Sequence, residues 1–180
     1  RQRKGESFLD ELAHAAGTDP VELRLQLLHE EPRYTRVLKK AAEAADWGNP
    51  PEGRFHGVAI MECYGSVCAE VAEISMAGGL RVHKVFAAID CGEVVNPDIV
   101  EAQVMSAVTY GLSAAMGERL DFENGAVVQG NFHDYPLLRM NAAPDVEVHT
   151  VTGPESTVGG VGEVGTPPIA PAVCNAIFAA

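Results

Sequence analysis

Residues 55–89 read FHGVAIMECYGSVCAEVAEISMAGGLRVHKVFAAI. Val, Ile and Ala dominate three runs in it, Phe55 to Tyr64, Val67 to Met76 and Leu80 to Ile89, each with partial alternation of apolar and polar positions. Side chains on an extended chain point alternately to opposite faces, so this pattern predicts three strands. Ala77-Gly78-Gly79 joins the second run to the third as a hairpin turn, where glycine supplies the positive φ such turns need.

Upstream the period changes to that of helices. Ser7 followed by Asp10 resembles a capping box ahead of Phe8, Leu9, Leu12 and Ala15-Ala16, with Gly17 closing the turn. Asp19 is placed to cap a second helix, with Pro20 at its first position, Glu22 completing the box and Leu23, Leu25, Leu27 and Leu28 as its apolar side. A third helix is expected from about Tyr34 to Asp46, ending at Trp47-Gly48, and Trp47 with the leucine stripe reads as core. Asn49-Pro50-Pro51-Glu52-Gly53 is the clearest linker in the chain. Downstream, Asn96-Pro97 opens a long helix through about Met116, Glu123-Asn124-Gly125 signals another hairpin, and Val146 to Val151 alternates as a further strand. A glycine-rich loop then leads to Pro167-Pro168, which launches a final apolar helix. The expected class is α+β: a small helical lobe at 1–48, a linker at 49–53, and a mixed sheet-and-helix lobe at 54–180.

Composition narrows the function classes. The chain has 180 residues, 47% hydrophobic and 21% charged, enough to bury a real core. A formal net charge of -12 repels phosphate backbones and argues against nucleic-acid binding; the basic start Arg1, Arg3 and Lys4 is a local exception. No apolar run reaches the ~18 residues of a membrane helix. The start at Arg1 and the end at Phe178-Ala179-Ala180, inside an apolar helical pattern, lead us to expect a piece of a larger protein. Cys63, Cys68, Cys91 and Cys174 form no CxxC pair and sit in apolar stretches, so buried free thiols are expected. The six histidines lack HxxxH or HExxH spacing, which gives zinc no site. His133-Asp134 could mimic a catalytic pair, but neighbours on a strand face opposite ways, so we expect a structural role.

The segment richest in chemistry is Gly159-Gly160-Val161-Gly162-Glu163-Val164-Gly165-Thr166-Pro167-Pro168. Gly160, Gly162 and Gly165 spell GxGxxG, but a dinucleotide site also needs a strand leading into the first glycine and an acidic residue about 20 positions on. What stands out is one acid among glycines at the start of a helix. Glycines let a large ligand approach the backbone, and a helix start is expected to offer free N–H groups. A carboxylate there can act as a general base if water is excluded around it. The plainer reading is a solvated glutamate in a surface turn.

Four blocks carry a family resemblance. Gly159 to Ala176, with its Gly-x-Gly-Glu core and Pro171-Ala172-Val173-Cys174-Asn175-Ala176, resembles the closing signature of the xanthine dehydrogenase and aldehyde oxidase superfamily of molybdenum hydroxylases. Tyr64 to Val71 resembles the strand opening the second molybdenum-binding lobe. Asp90-Cys91-Gly92 with Asn96-Pro97 and Gln103 resembles the loop and helix after it, and Asn131 to Tyr135 the segment leading to the last strand. Ser7 to Leu12 and Asp19 to Arg24 extend the likeness into the helical lobe, nearest to isoquinoline 1-oxidoreductase beta subunits.

The resemblance implies the C-terminal part of a large subunit, with a fold of the molybdopterin-binding domain type. It implies a molybdenum–pterin cofactor in the cytosine dinucleotide form, bound beside Gln103 and Gly162, with no protein ligand to the metal. It implies Glu163 as general base in the oxidation of an N-heterocycle or an aldehyde with water-derived oxygen. The remainder of the large subunit and a small [2Fe–2S] subunit are the implied partners, in a bacterial enzyme of the cytoplasm or periplasm. By itself the fragment is expected to be inactive. The sequence departs from the family at Met105-Ser106-Ala107, where Glu-Gly-Gly or Glu-Ser-Gly is usual. The alternative is a noncatalytic assembly or binding domain, such as an inactive paralogue.

Overall fold

The computed structural model describes residues 2–180, with side chains from Gly5 onward, so the basic start at Arg1, Arg3 and Lys4 lies outside the described side chains. Three helices come first, α1 (Gln2–Ala16), α2 (Pro20–Leu27) and α3 (Pro32–Ala44). Strands β1 (Phe55–Cys63), β2 (Ser66–Ser75) and β3 (Arg81–Asp90) follow, then helix α4 (Pro97–Met116) and the short hairpin β4 (Phe122–Glu123) and β5 (Ala126–Val127). Strand β6 (Asp145–Thr150) and helix α5 (Thr166–Ala179) complete the chain. The main sheet runs β1-β2-β3-β6, the first three antiparallel and β6 parallel to β3. A parallel neighbour needs a crossover rather than a hairpin, and α4 with the β4–β5 segment supplies it. This is the expected α+β class.

Alternation along the strands sets the layers. Val67, Ala69 and Val71 of β2 join Val58, Phe86 and Ala88 against Val37, Leu38 and Ala41 of α3. Cys68, Ala72 and Ile74 face the other way, toward Val104, Val108 and Leu112 of α4 and Ile169, Ala172 and Ala176 of α5. Burial of β2 on both faces explains why apolar residues occupy adjacent positions, as in Val67-Cys68-Ala69 and Val71-Ala72, rather than strictly alternating. Asn49 to Gly53 carries neither helix nor strand, yet α3 shares a core with the sheet across it. Among the described residues no helix is long and apolar enough to cross a membrane.

Asp19 caps α2 as expected, its Oδ1 accepting from the N–H groups of Val21 and Glu22 at 2.8 and 3.0 Å. Asn96 likewise caps α4, and Glu123-Asn124-Gly125 turns the β4–β5 hairpin. The Ser7–Asp10 box does not form. Helix α1 already begins at Gln2, which puts Ser7 inside it, and Asp10 turns inward to lie 2.7 Å from the Arg24 guanidinium. Arg24 is 1% exposed and also meets the Glu6 carboxylate at 3.0 Å, so the need to pair a buried cation outweighs a cap. Helix α3 starts two residues before the expected Tyr34 because Pro32 suits a first turn, and it ends at Ala44 ahead of Asp46, which takes φ 48°. Trp47 is half-buried, packs at the edge of the α3-side core, and donates from Nε1 to Asp19 at 2.8 Å.

Helix α5 lies directly on β1 at Gly57. A Cβ there would stand 2.1 Å from the Ala176 nitrogen and 2.2 Å from the Ala172 carbonyl oxygen, both backbone atoms. Gly57→Ala is therefore expected to lower unfolding free energy by about 1–3 kcal/mol, the usual scale for overpacking a core. Urea denaturation of the two proteins side by side checks this, and an unchanged midpoint would refute it.

Candidate active site

Strand β6 stops at Thr150, and residues 151–165 carry neither strand nor helix. The GxGxxG letters therefore lack the strand that dinucleotide binding requires. The segment is nevertheless tied down. The Gly159 N–H donates to the Cys91 carbonyl at 3.0 Å, and the Gly160 N–H to the Tyr64 carbonyl at 2.9 Å. A Cβ on Gly159 would stand 2.5 Å from the Gly65 backbone, so this glycine serves contact with the β1–β2 turn rather than a ligand. Gly162 is the open one: it is exposed, and a Cβ on it would meet only the Gln103 amide nitrogen, at 3.8 Å.

A buried ionic clasp secures the other end of the segment. Asp90, fully buried at the end of β3, receives Arg33 and Arg36 of α3, each at 3.2 Å, together with the Ser156 hydroxyl and the Gly92 N–H. Burial alone pushes this carboxyl up, but the hydrogen bonds from Ser156, Gly92 and Arg36 outweigh it and hold the group below its ordinary value. Arg36 also pairs with Glu155, and Arg33 donates to the Thr157 carbonyl at 3.3 Å. The helical layer thus grips the loop on the far side of the sheet from α4 and α5.

Glu163 is exposed and lines a cleft of about 480 Å³ together with Cys63, Ser106, Ala107, Tyr110, Gly162, Thr166 and Pro167. Gln103, Ser106 and Tyr110 are spaced by three and four residues, so α4 presents them on one face. The structure thus brings Glu163, Gly162 and Gln103 together on one rim. Of the segment that departs from the family, Ser106 and Ala107 line the cleft and Met105 does not. The Cys63 thiol is pushed up by burial and then by the charges of Glu163 and Glu62, which keeps it protonated and a poor nucleophile.

The start of α5 corrects one expectation. Thr166 donates its N–H to the Glu163 carbonyl at 3.0 Å, and Pro167 and Pro168 have none to give. The free N–H groups expected at this helix start are therefore largely missing. His133 and Asp134 lie in a turn rather than on a strand. Asp134 accepts from the N–H groups of Gly130 and Asn131, both at 2.9 Å, and these bonds hold its carboxyl below the ordinary value. Cys68 and Cys91 are buried as expected, whereas Cys63 is only partly so and Cys174 is exposed, because α5 turns it away from the sheet.

Two residues of the Tyr64–Val71 block gain a place at the site only in the structure. Tyr64 donates its hydroxyl to Glu163 Oε2 at 3.1 Å. Glu70, fully buried on β2, lies under the segment: a Cβ on Gly165 would be 3.2 Å from its Oε1. Among the described residues its Oε2 has no hydrogen-bond partner. An acid set between Ala69 and Val71 in a strand buried on both faces was the available signal for Glu70.

Against this geometry, the molybdopterin cofactor-binding domain family matches residues 3–144. The chain belongs to that family. The match includes Gln103 and ends before Glu163. The isoquinoline 1-oxidoreductase subunit beta of Brevundimonas diminuta is 36% identical over 95% of this chain and 23% of its own length. The membrane-bound aldehyde dehydrogenase [pyrroloquinoline-quinone] of Gluconacetobacter polyoxogenes is 30% identical over 96% of this chain and 25% of its own. Among solved structures, a Cu,Mo-CO dehydrogenase superposes with a TM-score of 0.58 at 26% identity, over 64% of this chain and 16% of that one. The chain thus spans about a quarter of the curated relatives it matches. The rim fits a flat pterin: Gly162 leaves the floor open, and the Gln103 amide beside it offers both donor and acceptor.

Burial pushes the Glu70 carboxyl well above its ordinary 4.5, with only a weak opposing bond from Cys68 at 3.9 Å. A carboxyl raised on folding contributes stability that is present below its unfolded value and lost as pH climbs through the folded value. Glu70→Gln removes that dependence. Its stability gain over the wild type should grow steadily above about pH 5, measured by urea midpoints from pH 5 to 8. A gain that stays flat across that range would refute a neutral Glu70.

Proposed function

We propose that this chain forms one wall of the molybdenum-cofactor cleft of a bacterial hydroxylase that oxidises an N-heterocycle or an aldehyde, with Glu163 as general base. The observation that carries the reading is the place of Glu163: an exposed carboxylate on the rim of a 480 Å³ cleft, on the same rim as Gly162 and Gln103. Two relatives named for an isoquinoline and for an aldehyde support the two substrate classes. When bound, the molybdenum–pterin group, in this reading its cytosine dinucleotide form, supplies a two-electron oxidation with oxygen drawn from water. Gly162 and Gln103 hold that group, the first by leaving room and the second by hydrogen bonding without added charge.

Glu163 takes the proton of the attacking water-derived hydroxyl, and the glycine segment fixes the carboxylate where that proton is released. Tyr110, 74% exposed on the same wall, gives a planar substrate an aromatic face. Among the described residues no three His, Cys, Asp or Glu side chains are grouped to hold a metal ion. In this proposal the electrons leave through a small [2Fe–2S] subunit. The remainder of the large subunit closes the cleft opposite α4 and α5.

Glu163→Gln in the complete enzyme is expected to keep molybdenum and pterin at wild-type content while kcat falls at least ~100-fold, the usual scale for a lost general base. Metal analysis with steady-state kinetics on an N-heterocycle and an aldehyde checks it. Full metal content with near-normal turnover would reject Glu163 as the base.

A further inference from the structure

Cys63 pairs with Ser66 at the end of the β1–β2 ladder, so Tyr64-Gly65 is a two-residue hairpin loop. Both residues lie at positive φ, 54° and 77°. That is the pattern of the type I′ turn, whose favoured occupants are Asn-Gly, Asp-Gly and Gly-Gly. A tyrosine at the first position carries a steric cost that asparagine or glycine avoids. Packing does not explain it, because the side chain is 68% exposed. Such an outlier, beside a candidate site, is an observation that asks for a function.

The ring reaches across to the glycine segment. Its hydroxyl donates to Glu163 Oε2 at 3.1 Å, and its main-chain carbonyl accepts from Gly160 at 2.9 Å. A Cβ on Gly160 would stand 3.1 Å from the Tyr64 Cβ, so the segment rests against the stem of this side chain. We infer that Tyr64 is the positioning residue for Glu163: its phenol hydroxyl holds Oε2 and leaves Oε1 as the oxygen that takes the proton. The inference rests on the reading of Glu163 as general base. One residue thereby fixes both the backbone of the segment, through its carbonyl, and the carboxylate, through its hydroxyl.

The hydrogen bond to Glu163, and then that group's charge, push the phenol above its ordinary value of 10.0, so Tyr64 remains a donor throughout the neutral range. Fixing the carboxylate's rotation acts on the chemical step rather than on substrate affinity.

Tyr64→Phe keeps the ring and the turn and removes only the hydroxyl. In the complete enzyme the expected result is unchanged molybdenum content, KM within about twofold of wild type, and kcat lowered about tenfold, the scale of a misoriented base. A second readout needs no turnover. The ultraviolet tyrosinate titration that Tyr64→Phe removes should move to lower pH in Glu163→Gln. Wild-type kcat in Tyr64→Phe, with Glu163→Gln inactive, would overturn the positioning role and leave the base reading standing. Near-normal turnover in Glu163→Gln would overturn the base reading and the positioning role with it, while an unmoved titration would deny the hydrogen bond itself. Loss of molybdenum or a raised KM in Tyr64→Phe would mark a structural residue and also overturn the inference.

Discussion

Two backbone hydrogen bonds, from Gly159 to the Cys91 carbonyl and from Gly160 to the Tyr64 carbonyl, fix where Glu163 can stand. The segment from 151 to 165 has no helix or strand, and beyond the turn closed between Gly153 and Ser156 its course is set from outside. Its position comes from the sheet: one bond reaches the β1–β2 turn and the other the residue that follows β3. The register that pairs Cys63 with Ser66 and Val67 with Asp90 therefore also sets the location of Glu163. A one-residue slip would turn every β2 side chain to the opposite face and carry the anchor points with it.

Two buried carboxylates flank this anchorage and meet the cost of burial in opposite ways. Asp90 remains charged, because two guanidinium groups, a hydroxyl and an N–H converge on it. Glu70 has only a weak thiol bond, so burial drives it toward the neutral acid. The first joins the helical layer to the loop through charge. The second lies beneath Gly165 without placing a negative charge behind Glu163. Both solutions leave Glu163 as the exposed carboxylate of the cleft wall.

Local rules read well wherever one residue type has one strong backbone preference. Asn96-Pro97, Asp19-Pro20 and Glu123-Asn124-Gly125 mark their caps and turn where the structure has them. The same rules misplace the start of α1, because Ser7 and Asp10 satisfy the capping pattern while Arg24, distant in sequence, claims Asp10. The helix start before Pro167-Pro168 fits the general rule for free N–H groups, although the two prolines exclude most of them. In the sequence Tyr64 reads as the end of a strand and the start of a family block, and only the folded chain sets its hydroxyl against an acid 99 residues away.

By itself the sequence determined the α+β class, the strands of the main sheet, the turns at Ala77-Gly78-Gly79 and Glu123-Asn124-Gly125, and the choice of Glu163, Gly162 and Gln103 as residues of interest. These depend on periodicity, on glycine and proline, and on motif order, all of which act between near neighbours or survive as a linear signature. Only the tertiary structure decided which glycines make room for a ligand and which make contact with the chain, how Asp90 and Glu70 are paired, and what orients the Glu163 carboxylate. Those outcomes depend on distances of a few ångströms between segments far apart in sequence. Close packing and hydrogen bonding act at that range, and residue order does not encode it locally.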